Sequence, residues 1–135
     1  DVSGTRDPVH ARMPSVGTVN WDLSPDGTQV AVFGAADSTA RIHVLPLAGG
    51  PAREVRLDQP LRPAGIAWAA AGDGWFVFGP ADDGWLLLRV DARGHCTRLV
   101  PPLPWMRGLA PSPDGRHLAF ARNTVQSNTW LVEGF

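Results

Sequence analysis

The chain has 135 residues, 44% of them hydrophobic and 19% charged, with a formal net charge of −1. That is enough chain and enough apolar surface for one folded domain, and too apolar a composition for disorder. No stretch reaches the roughly 18–20 uninterrupted apolar residues of a membrane span, and a near-neutral chain lacks the basic surface that nucleic acid needs.

Residues 1–12 read as an outer strand, because Asp1 to Arg6 resembles the later Gly- and Arg-containing stretches at 48–53 and 91–98. Residues 13–59 form the first unit. It holds a turn, Ser24-Pro25-Asp26-Gly27, an apolar strand at 30–33, a polar loop at 34–40 and a strand at 42–45. A Gly-Gly turn and a fourth strand at 53–57 complete it. Residues 60–103 repeat the order, with strands at 75–78, 85–90 and 96–100 and a polar loop at 79–84. Residues 104–135 repeat it again, with Ser112-Pro113-Asp114-Gly115, strands at 118–120 and 129–132, a loop at 122–128 between them, and no fourth strand. Pro presets one φ in each turn, Asp bonds locally and Gly accepts positive φ. Trp85-Leu86-Leu87-Leu88 is apolar throughout, the pattern of a strand covered on both faces. No 3.6-residue apolar stripe appears, so the expectation is an all-β chain almost without helix.

The Asp-Gly pairs at Asp26, Asp73 and Asp114 lie 47 and 41 residues apart. A period of ~40–45 residues with four short strands per unit is the pattern of propeller blades. The expected fold is three four-stranded blades permuted by one strand, the first strand completing the last blade. The Trp-x-x-Ser-Pro-Asp-Gly turn, its apolar strand and the Leu-Ala-Gly-Gly turn at 47–50 resemble the WD40-like (PD40) repeats of TolB-type β-propellers. The segment Ser127 to Phe135 resembles the C-terminal end of propellers in bacterial signalling proteins. The resemblance implies a binding platform. Three blades cannot close around an axis, whereas propellers have ~4–8. The chain is therefore expected to pair with itself as a C₂ homodimer, making a six-bladed ring. It opens at Asp1 without an initiator Met or an apolar signal segment, which reads as a soluble, processed or trimmed product. All 12 cationic side chains are Arg, which points to a high-GC bacterial gene.

Binding on such a scaffold belongs to its loops. Blade order puts Arg12, Met13, Asp37, Ser38, Arg62, Asp82, Asp83, Trp105, Arg107, Asn123 and Gln126 on one rim. The innermost strands, carrying Thr18, Asn20 and Asp22, then Ala67 and Ala69, then Met106 and Gly108, line the channel. Trp105 stands beside Arg107, a pairing suited to stacking a ligand or partner. Trp21 and Trp68 occupy matching places, as do Trp85 and Trp130, which reads as blade packing. Asp82-Asp83 suits a divalent cation or a solvated turn. His10, His43, His95 and His117 show no metal-ligand spacing; with Asp22, three of them (His10, His43 and His117) remain weak metal candidates. Cys96, the single cysteine, reads as inert. No Gly-x-Ser-x-Gly elbow or kinase loop occurs.

The reading that follows is a non-catalytic module binding a protein or small molecule, with Trp105, Arg107, Arg12, Arg62, Asp82, Asp83, Asn20 and Asp22 as its contacts. The alternative is a metal-dependent hydrolase of phosphate or carboxylic esters or lactones, with its cation in the channel between two copies of Asp22 and Asn20. A third reading is an engineered or evolutionary fragment without a selected activity.

Overall fold

The computed structural model describes residues 20–36 and 39–122. These form ten strands and, among the described residues, no helix. The first sheet is an antiparallel meander of β1 (Asn20–Leu23), β2 (Gln29–Ala36), β3 (Thr39–Pro46) and β4 (Arg53–Arg56). The middle sheet repeats it with β5 (Gly65–Trp68), β6 (Gly74–Ala81), β7 (Gly84–Asp91) and β8 (Cys96–Arg98). The third pairs β9 (Met106–Pro111) with β10 (Leu118–Arg122). The expected strands at 1–12 and 129–132 lie outside the described residues.

The middle sheet is covered on both faces. Leu86 and Leu88 pack with Phe33, Ile42 and Val44 of the first sheet. Leu87, one residue out of phase, packs with Phe78 and Met106 toward the third. Successive strand residues point to opposite faces, so an unbroken apolar run is what such a strand requires. The first strands of the three sheets lie side by side, β1 against β5 and β5 against β9.

The inner turn recurs three times with one geometry. In each, a backbone N–H three residues on bonds back to the turn's first carbonyl: Gly27 to Ser24, Gly72 to Ala69 and Gly115 to Ser112, at 2.8, 2.8 and 2.9 Å. The glycines have φ of 70°, 71° and 70°. This corrects the alignment read from the Asp-Gly pairs. The middle turn is centred on Gly72, while Asp73-Gly74 already leads into β6. The turn glycines are 45 and 43 residues apart, a more even period than the Asp-Gly spacing. With the 45-residue offset, Trp21 paired with Val32 corresponds to Ile66 paired with Val77, and Leu23 with Val30 corresponds to Trp68 with Trp75. Trp21 and Trp68 are therefore not equivalent positions.

Both long hairpins are tighter than expected. Residues 34–36 and 39–40 continue the β2–β3 ladder, and Gly79, Pro80, Ala81 and Gly84 continue that of β6–β7. Only Asp82 and Asp83 remain outside the second ladder, because two residues suffice to reverse twisted antiparallel strands.

Two clasps join the first and middle sheets. At the inner edge, Asp22 accepts the Trp68 N–H through Oδ2 at 2.8 Å, and the Trp68 indole N–H donates to the Asp22 carbonyl at 3.1 Å. At the outer edge, Asp58 accepts the Cys96 N–H at 2.9 Å and meets His95 Nδ1 at 2.8 Å. The Arg53 guanidinium donates to the Ala92 carbonyl at 3.1 Å.

Candidate functional site

Six of the eight residues expected to bind, Trp105, Arg107, Asn20, Arg62, Asp82 and Asp83, line two clefts, whereas Asp22 lines neither. The first, of about 420 Å³, opens where β1, β5 and β9 begin, and its walls include Asn20, Trp21, Phe78, Trp85, Trp105 and Arg107. Trp105 is held there by its loop. Leu103 exchanges two backbone hydrogen bonds with Trp85, at 2.8 and 3.0 Å. Those bonds pin the proline-rich segment after β8 onto the start of β7. The Trp105 ring then meets Trp85 edge-on, with centroids 5.9 Å apart, and Trp85 meets Phe78 at 6.2 Å. Edge-to-face contact suits the positive rim and negative face of such rings.

Arg107 owes its direction to a bulge. The β9–β10 register runs from Leu109 paired with Phe120 to Arg107 paired with Ala121, leaving Gly108 unpaired. Gly108 takes φ of 65°, where a side chain would be strained. A glycine bulge of this kind re-aims the residues before it. Met106 is turned into the core and Arg107 is left exposed in the cleft.

The second cleft, of about 690 Å³, lies between the first and middle sheets beside the β6–β7 hairpin tip. It collects Arg62, Asp82 and Asp83, and adds Arg98, which no motif or spacing had singled out. Arg98 lies on β8 opposite Leu88, and only the pairing of β7 with β8 reveals its place.

The metal candidates among the described residues, Asp22, His43 and His117, are not brought together. Asp22 Oδ1 accepts its neighbour Leu23's N–H at 2.9 Å and Oδ2 accepts that of Trp68, so both oxygens serve the fold. His43 is buried on β3, one residue out of phase with Val44, which shares the Asp22 ladder row. His43 therefore points to the face opposite Asp22. His117 closes the third sheet's turn, its N–H bonding Ser112 Oγ at 2.9 Å. Among the described residues, no three His, Cys, Asp or Glu side chains gather as a metal set. Arg12, His10, Met13, Asp37, Ser38, Asn123, Gln126 and Trp130 lie outside the described residues.

Cys96 is buried, and burial together with the Asp58 carboxylate pushes its thiol up to about 12. A thiol so raised is a poor nucleophile near neutral pH. Asp58 moves the other way, held low by the Cys96 thiol and N–H and by His95. No helix among the described residues is long and apolar enough to cross a membrane. Neither a protein-family model nor a curated protein sequence matches this chain.

Proposed function

We propose that the chain is a non-catalytic binding module of β-propeller type, that its three sheets are blades, and that two copies close as a six-bladed ring. The observation that carries the binding role is the first cleft, where Trp105, Trp85 and Phe78 form an aromatic row beside the exposed Arg107. Such a wall suits a ligand with a flat apolar face and an anionic group: stacking on the indole supplies affinity, and the guanidinium fixes orientation. Isothermal titration with 2-naphthoate as the probe tests it. Trp105→Ala and Arg107→Ala should each weaken binding by at least about tenfold, the scale of one aromatic or charge-assisted contact. Unchanged binding in both variants refutes the placement.

The support for closure by a second copy comes from comparing equivalent positions. Ile66 and Trp68 of the middle sheet, covered by the first, are 8% and 6% exposed. Their counterparts Trp21 and Leu23 are 66% and 45% exposed. Further along that face Val32, His43 and Leu45 are already buried, so the open apolar surface is confined to the inner-strand edge. Another sheet laid there, as the first lies on the middle, would bury two large apolar side chains, and such exposed patches mark interfaces. Native mass spectrometry decides: two chains per particle supports the ring, and one chain overturns it.

A further inference from the structure

We infer that the second cleft is a separate binding site for a small zwitterionic ligand, a free amino acid or short peptide carrying both an ammonium and a carboxylate. Two guanidinium groups and two carboxylates line the same 690 Å³ space. That volume is within the ~300–1,000 Å³ of small-molecule sites. The charges stand on anchored backbone: Asp82 and Asp83 at one hairpin tip, Arg62 beside it and Arg98 on β8. The Arg62 N–H bonds the Pro80 carbonyl at 2.9 Å, which fixes it beside the hairpin that ends in Asp82 and Asp83. Arg98 is fixed by β8, continued by the Leu99 N–H bond to the Leu87 carbonyl at 3.0 Å. The floor is apolar, with Leu61 and Leu86 buried.

The decisive feature is that these charges do not pair with each other. Opposite charges do pair elsewhere on this surface where they share a neighbourhood: Arg41 and Arg56 meet Glu54 at 3.3 and 3.2 Å, and Arg89 meets Asp73 at 2.7 Å. Among the described residues, none of Arg62, Arg98, Asp82 and Asp83 stands in an ion pair. A cleft that presents both signs and is neutral in sum gains little from a simple anion or cation, since each meets its like charge as well as its opposite. A ligand with both charges satisfies all of them, and Arg offers the carboxylate a two-pronged contact.

The probes are L-alanyl-L-alanine, its N-acetyl form and its C-terminal amide, titrated into the ¹⁵N-labelled intact chain. The free dipeptide should shift the Asp82, Asp83 and Leu99 amides saturably. Each blocked form should bind at least about tenfold more weakly, as sites built around a polar group reject analogues lacking it. Arg62→Ala with Arg98→Ala should erase the preference over the amide, and Asp82→Asn with Asp83→Asn the preference over the acetylated form. All four side chains are exposed, and the probe series on the unaltered chain still tests the site if a variant unfolds. No saturable shift, equal binding of all three probes, or shifts confined to the Trp105 cleft would each overturn the inference.

Discussion

One hydroxyl organises the first inner turn. Ser24 Oγ donates to Asp26 Oδ1 at 2.6 Å and accepts the N–H groups of Thr28 and Gln29 at 3.1 and 2.9 Å. Ser112 repeats the bonds to Asp114 and to the His117 N–H. Ser24→Ala should cost about 1–2 kcal/mol, since a partly buried set of backbone donors loses its acceptor, read as a lower urea midpoint. The same bonds hold the carboxylates low, the Ser24 hydroxyl leading for Asp26 and the Ser112 hydroxyl for Asp114. Glu54 is lowered chiefly by Arg56 and Asp91 by the Arg93 N–H. A folded value below the unfolded one means that the unfolded chain takes up protons first. This contribution is complete above the ordinary Asp value of 3.8 and is lost as pH falls through the lowered folded values. Urea midpoints should therefore be level from pH 7 to 5 and drop steeply toward pH 3. Cys96 should resist alkylation at pH 8 until denaturant is added, as mass measurement will show, because its thiol lies near 12.

Among the elements, the middle turn makes the sharpest contrast. Ala69 and Ala71 stand where the outer turns carry Ser and Asp, yet the backbone bonds and the Gly72 φ of 71° are kept. The double change Ala69→Ser, Ala71→Asp should add about 0.5–1.5 kcal/mol of stability, seen as a higher thermal midpoint. The drift of this turn also marks the limit of sequence reading. The strands, their order and the doubly covered Trp85–Leu88 run are legible from apolar pattern and turn chemistry. The turn's register is not, because the only Asp-Gly pair there, Asp73-Gly74, lies two residues past the turn that Gly72 makes, and only backbone bonding reveals it. Leu87, 1% exposed, joins the middle sheet to the third. Leu87→Ala should cost about 2–5 kcal/mol through the cavity it leaves.

At the scale of the whole molecule, the sheets are tied at both edges by polar groups that sequence order keeps far apart. Asp22 reaches Trp68 and Asp58 reaches Cys96. Asp22 looked like a channel ligand because its place on the first strand of its unit is readable, whereas its bonding partner is 46 residues away. The clefts divide in the same way. Trp105 and Arg107 stand together in sequence and in space. Arg98 shares a cleft with Asp82 and Asp83 only once β8 has paired with β7. Asp22→Ala should lower stability by about 1–3 kcal/mol by stranding the Trp68 N–H, and chemical denaturation will measure it.

Because the middle sheet has a neighbour on each face, it cannot open until one of them has moved away. Amide hydrogen exchange should follow that order, with β9 and β10 exchanging first and β6 and β7 only at the rate of global unfolding. The chain then behaves as a row of layers that peel from the outside. Whatever binds between two layers slows the peeling of both, so occupancy of either cleft becomes readable as protection on strands the ligand never touches.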